Sequence, residues 1–272
     1  MKILIAGATS GIGRFLAERL LEAGHDVWGF ARSIEGALSH ARFRAFACDV
    51  AEWERVEQLA GTIATETQRL DVIIVCAALQ GPVGPAMTLD PKTWSAAVRA
   101  NLDGTFHVLR AFAALLRPEG DARAKILCFS GGGASKPRAN FSAYAAAKTG
   151  VVRLVETLAE EWRESAIDIN SIAPGTLPTR MTEETLRNGA KAAGEAEIAM
   201  ARATLDAGTE NFERLGRLVD FLLSPESDGI SGKLISAAWD PWEQFGKQRE
   251  RLRTTDLLTL RRITPEDRGE TW

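Results

Sequence analysis

Residues 2–24 read KILIAGATSGIGRFLAERLLEAG. Lys2 to Ala6 is a short apolar run that reads as a buried strand. Gly7, Gly11 and Gly13 follow at G-x-x-x-G-x-G spacing, and the amphipathic run after them closes at Gly24, a good helix stop. Strand, glycine loop and helix in this order make a glycine pattern meaningful. Without side chains, the glycines let the backbone approach a pyrophosphate, which would sit on the positive end of the helix. A tight strand-to-helix turn alone would also use glycine for its dihedrals, but three at this spacing favour the nucleotide.

The second strand, Asp26 to Phe30, ends at Ala31-Arg32-Ser33. In dinucleotide folds an acid after this strand holds the adenosine ribose, whereas Arg accommodates a 2′-phosphate. Here Ala31 stands in place of the acid and Arg32 follows, which points to NADP(H) over NAD(H), with NAD(H) still possible; the alternative is a solvated surface arginine.

Further along, strands are expected at Phe43 to Cys48, Asp71 to Cys76 and Lys125 to Phe129, then at Ile167 to Ile172 and Lys233 to Ser236. Helices are expected over about 52–68, from Asp90-Pro91 to about Arg117, across Asn140 to Glu161, and over 210–223. Repeated β-α alternation argues for an α/β fold with a doubly wound, mostly seven-stranded parallel sheet of the Rossmann type, binding ligands at the carboxyl ends of its strands.

The chain's single tyrosine, Tyr144, lies one helical turn before Lys148. At i and i+4 the two side chains share a face. A free phenol is a poor base near neutrality, and an ammonium beside it is expected to lower its pKa. Tyr-x-x-x-Lys alone is common, and its surroundings must raise it.

They do. With Gly7, Gly11-Ile12-Gly13, Asp49-Val50, Asp71, Asn101, Tyr144-x-x-x-Lys148, and Pro174-Gly175 with Thr179, the sequence resembles a single-domain short-chain dehydrogenase/reductase over roughly residues 1–237. The resemblance implies hydride transfer between a nicotinamide and a carbonyl or secondary alcohol on a small organic substrate, with Tyr144 handling the proton. It gives Lys148 the nicotinamide ribose, and Asn101 a water that resupplies the proton. The glycines with Thr9, Ser10 and Ile12 take the pyrophosphate, Arg32 with Ser33 the 2′-phosphate, and Asp49 with Val50 the adenine; Ala77, Ala78, Pro174, Gly175 and Thr179 complete the cofactor lining. It also implies a homodimer or homotetramer joined through the Asn101 and Tyr144 helices.

Three departures stand out. Ala6 replaces a threonine, and Val75-Cys76-Ala77-Ala78 replaces an Asn-Asn-Ala-Gly segment. The family's serine, which polarises the carbonyl, falls at Gly131, with Ser130 one residue early. A one-residue shift turns a side chain to the other face of a strand. The glycines at 131–133 could bring Ser130 back into line, or donate a backbone N–H in its stead. These losses leave a rival reading, a nucleotide-binding sensor or partner protein with weak chemistry.

The expected organisation is a dinucleotide-binding catalytic domain over 1–237, with a helical substrate lid at about 176–208, and a C-terminal extension of the same domain over 238–272. The extension carries Trp239, Trp242 and a basic cluster (Lys247, Arg249, Arg251, Arg253, Arg261, Arg262). It reads as salt-bridged surface packed by its tryptophans rather than as an anion-binding arm. A net charge of −3 gives no reason to expect nucleic acid, and no apolar run is long enough for a bilayer. Cys48, Cys76 and Cys128 show no metal-ligand spacing, and no metal is expected. The cytoplasm is the expected compartment. His25, His40 and His107 read as structural or surface residues.

Overall fold

The computed structural model describes residues 1–271; Trp272, the last residue of the expected extension, lies outside them. Seven parallel strands form one sheet in the order β3-β2-β1-β4-β5-β6-β7. These are β1 (Lys2–Ala6), β2 (Asp26–Ala31), β3 (Phe43–Ala47), β4 (Val72–Val75), β5 (Ala124–Phe129), β6 (Ile167–Ala173) and β7 (Leu234–Ser236). The chain builds outward from β1 to β3, then returns to lay β4 against the other side of β1, with Ile5 opposite Ile74. That reversal opens a crevice beyond the carboxyl ends of β1 and β4.

Alternation of side chains along each strand feeds two apolar layers. Ile3, Ile5, Ile74 and Leu127 pack with α1 (Gly11–Glu22) and, later in the chain, α8 (Glu210–Leu223) through Leu16, Leu215 and Leu218. Leu4, Ile73, Val75 and Cys128 pack on the other side with α2 (Trp53–Glu66), α4 (Gly104–Phe112) and α5 (Ser142–Glu161) through Val56, Phe112, Val151 and Val155. Full burial of such aliphatic side chains is worth about 1.5–3 kcal/mol each, and it fixes the sheet that carries the site.

The helix expected to run unbroken from Asp90 is interrupted. Asp90 caps α3 (Pro91–Val98) by accepting from the Thr93 N–H, but a π-helical turn over Arg99–Asp103 separates α3 from α4. The lid is likewise two helices, α6 (Arg180–Ala193) and α7 (Glu195–Asp206), broken at Gly189 (φ 72°) and Gly194 (φ 98°). A short α9 (Arg249–Thr254) lies in the extension.

The extension folds back along the outer edge of β7. The Leu234 N–H donates to the Leu258 carbonyl at 2.8 Å, and Lys233 Nζ to the Thr255 carbonyl at 2.8 Å. Of its basic cluster, Arg253 pairs with Glu250 and Arg261 with Asp256 and Asp267, while Lys247, Arg249, Arg251 and Arg262 have no carboxylate partner among the described residues. Trp242 is buried, but Trp239 is 86% exposed, against the expectation that both pack: the turn after Ser236 aims it outward. No helix among the described residues is long and apolar enough to cross a membrane.

Candidate active site

A cavity of about 1390 Å³ opens at the crevice. At its floor the Gly7 N–H donates to the Phe30 carbonyl at 2.7 Å. A Cβ on Gly7 would lie 2.7 Å from the Ala77 nitrogen, and one on Gly13 would lie 2.1 Å from the Gly7 oxygen. Glycine is required at both positions. Helix α1 begins at Gly11, and the Ser10 side chain makes no cap hydrogen bond, so the first-turn N–H groups are left for a ligand. This bare, positive helix end on a side-chain-free cradle fits a pyrophosphate.

All but one of the residues expected from sequence line this cavity. Thr9, Ser10, Ile12, Asp49, Val50, Ala77 and Ala78 surround the cradle; Pro174, Gly175 and Thr179 lie across from it. Arg32 and Ser33 are exposed at one end. Glu35, which sequence reasoning passed over, lines the same end, its N–H bonded to Ser33 Oγ at 3.1 Å.

The exception is Asn101. It is wholly buried in the π turn and absent from the cavity wall. Its Nδ2 donates to the Leu79 carbonyl and to the Ala97 carbonyl, both at 2.8 Å, while its Oδ1 accepts from the Leu79 N–H at 3.2 Å. The side chain is thus committed to pinning the loop after β4, and the expected cofactor contact is corrected to a supporting one.

Tyr144 and Lys148 lie on one face of α5, 6% and 2% exposed. Lys148 Nζ sits 5.8 Å from the Tyr144 ring centroid and donates to the Phe129 carbonyl at 2.8 Å. Burial brings the ammonium down to about 8. The phenol does not behave as expected: burial pushes it up to about 12, and the charge opposing that rise is Arg138, not Lys148. An enclosed phenol loses hydration of its anion, and the lysine proton is aimed at a carbonyl instead. Burial raises the Cys48 thiol to about 11 and the Cys128 thiol to about 12, which keeps both protonated near neutrality.

Ser130 follows β5 directly, its N–H bonded to the Ile172 carbonyl at 2.8 Å. Its Oγ is buried without a hydrogen-bond partner among the described residues, and the residue lines the cavity. At Gly131 a Cβ would meet the Tyr144 hydroxyl oxygen at 2.5 Å. The phenol occupies the space a side chain at 131 would need.

The lid closes over Tyr144. Phe141, Tyr144, Ala193 and Ile198 form a third apolar cluster, joined by Val83, Met181, Leu186 and Ala190. Two polar contacts fasten it: buried Gln80 Nε2 to Thr185 Oγ1 at 2.6 Å, and Arg138 to Glu197 through Nε (2.9 Å) and Nη2 (2.6 Å). Sequence reasoning missed Gln80, Arg138 and Glu197, each in a loop or lid whose partner is remote in the chain. From the extension, Ala238, Trp239, Asp240 and Leu258 reach the cavity rim.

A cradle for a dinucleotide, a Tyr/Lys pair and a helical lid on a seven-stranded parallel sheet define a class. The family model for short chain dehydrogenases matches residues 1–189. The chain belongs to the short-chain dehydrogenase/reductase family, oxidoreductases that use NAD(P)(H) on CH–OH and C=O groups. It is 29% identical over 242 residues to the short-chain reductase protein NovJ of Streptomyces niveus, covering 85% of this chain and 90% of that one. It is 28% identical to the 3-oxoacyl-[acyl-carrier-protein] reductase FabG of Vibrio harveyi, covering 85% and 93%. Among solved structures, a short chain dehydrogenase from Salmonella enterica serovar Typhi superposes with a TM-score of 0.74 at 26% identity, over 87% of this chain and 95% of that one. These relatives weigh against the sensor reading.

Proposed function

We propose that this chain is an NADP(H)-dependent oxidoreductase interconverting a carbonyl and a secondary alcohol on a small organic substrate. The observation that carries this reading is that Tyr144, Lys148 and Ser130 line the same cavity as the glycine cradle. The bound nicotinamide supplies or accepts the hydride. In reduction, Tyr144 donates its proton to the substrate oxygen; a phenol held near 12 stays protonated at neutral pH and is suited to that direction. Lys148, near 8, holds the ribose and can exchange a proton around neutrality. Ser130 Oγ, with no hydrogen-bond partner among the described residues, is available as the carbonyl's second donor.

Arg32 supports NADP(H), and Glu35 at the same end opposes it, since a carboxylate repels a 2′-phosphate. Asn101 acts in this scheme by fixing the loop at Leu79. We also assign the protein to the cytoplasm, as a homodimer or homotetramer joined through α4 and α5, where Phe106 is 47% exposed. Light scattering on a sizing column measures that assembly. The deciding experiment is NADPH oxidation against a panel of ketones and aldehydes. Tyr144→Phe should keep NADPH binding and lose at least about a hundredfold in turnover; near-normal turnover in that variant would overturn the reading.

A further inference from the structure

The substrate half of the cavity is walled by a loop over residues 131–138 that the reaction scheme leaves unexplained. Arg138 projects from it toward the cavity, 22% exposed at its side chain. Its guanidinium carbon stacks 3.7 Å from the Phe141 ring centroid, and Phe141 is itself wholly buried, so the plane of the fork is fixed. The glycines give it room. A Cβ on Gly133 would press on the Arg138 Cβ at 3.2 Å, and one on Gly132 would come within 3.9 Å of Cδ and Nη1.

The guanidinium is only half used. Glu197 takes Nε and Nη2 along one edge, while Nη1 makes no hydrogen bond among the described residues. Lys136, exposed on the same loop, lines the same cavity without a carboxylate partner among the described residues. The loop and the lid carboxylate facing it therefore leave a net positive wall beside Tyr144.

We propose that the open edge of Arg138 binds a carboxylate on the substrate, so that the enzyme prefers keto acids, or the matching hydroxy acids, to neutral ketones. A rigid, half-engaged fork presents two parallel N–H groups to a carboxylate, a geometry a lone lysine cannot offer. The proposal rests on the carbonyl-reducing reading above. Its rival is that Arg138 merely latches the lid through Glu197.

The test uses the 272-residue chain and oxopentanoates with the ketone at the second, third or fourth carbon, each beside its methyl ester. Steady-state NADPH oxidation is read together with acid binding to the cofactor-free protein by ligand-observed NMR. Wild type should favour at least one acid over its ester. Arg138→Gln should reduce that acid-to-ester ratio in kcat/KM by about 10- to 100-fold, the usual worth of a charged hydrogen bond, and weaken acid binding in parallel. Glu197→Gln should raise the ratio, because it frees the guanidinium charge; a latch would make the two variants fail alike. An unchanged ratio in Arg138→Gln, equal losses on acid and ester, or a ratio that falls in Glu197→Gln would each overturn the proposal. Acid binding that depends on Arg138 without turnover of any ketone would instead leave the anion site standing and remove the reductase reading.

Discussion

The Tyr144 hydroxyl oxygen lies 2.5 Å from where a Cβ on Gly131 would stand. The missing serine and the placement of the phenol are therefore one structural fact. Restoring the serine by Gly131→Ser should not restore a family-like site. The buried ring must move, and overpacking of this kind costs about 1–3 kcal/mol. We expect a lower melting temperature and a turnover reduced by about tenfold or more, measured on one ketone with wild type as reference.

Ser130 predicts a split between stability and activity. Its buried Oγ has no partner among the described residues, so Ser130→Ala should leave stability unchanged or raise it by about 1 kcal/mol. Turnover should fall by about tenfold if that hydroxyl meets the substrate oxygen. Urea unfolding and steady-state kinetics on the same preparation measure both.

Lys148 should be a liability to the fold. Its ammonium, brought by burial from 10.5 to about 8, binds its proton less tightly in the folded chain than in the unfolded one. Below pH 8 both states are protonated and the cost is fully present; stability attributable to this group then rises as pH climbs from about 8 to 10.5. Lys148→Met should thus stabilise the protein at pH 7 by up to about 3 kcal/mol, with the gain shrinking above pH 8, while turnover collapses. Chemical denaturation of both proteins across that range measures the difference.

Asn101 should act through the loop it pins. Asn101→Ala strands the Leu79 N–H and carbonyl, and should cost about 2 kcal/mol or more in unfolding free energy. Hydrogen exchange at Leu79 should quicken in the variant.

The strands, the glycine cradle and the Tyr144/Lys148 face were legible because each depends on local periodicity or spacing. Ile3 to Ala6 and Val72 to Val75 are apolar throughout, as strands buried on both faces must be. The π turn was not legible: RANLD has no proline or paired glycine to announce it, and the hydrogen bond that Asn101 makes from it to Leu79 joins residues remote in sequence. The phenol's pKa was misjudged for a related reason. The Tyr–Lys spacing is local, but burial is what moves the phenol, and the cluster that encloses it includes Ala193 and Ile198, remote in the chain. Arg138 and Glu197 were invisible because a loop arginine and a helix glutamate are, taken singly, ordinary surface residues.

Because α6 and α7 pack their apolar underside against Tyr144 itself, any displacement of them would also change the acidity of the phenol. Any opening of α6 and α7 would return water to the ring and let the hydroxyl fall back toward its ordinary 10. On the proposed reductase reading, such an opening would also let bulk solvent return the proton that Tyr144 gives up, so one motion would serve both release and reset.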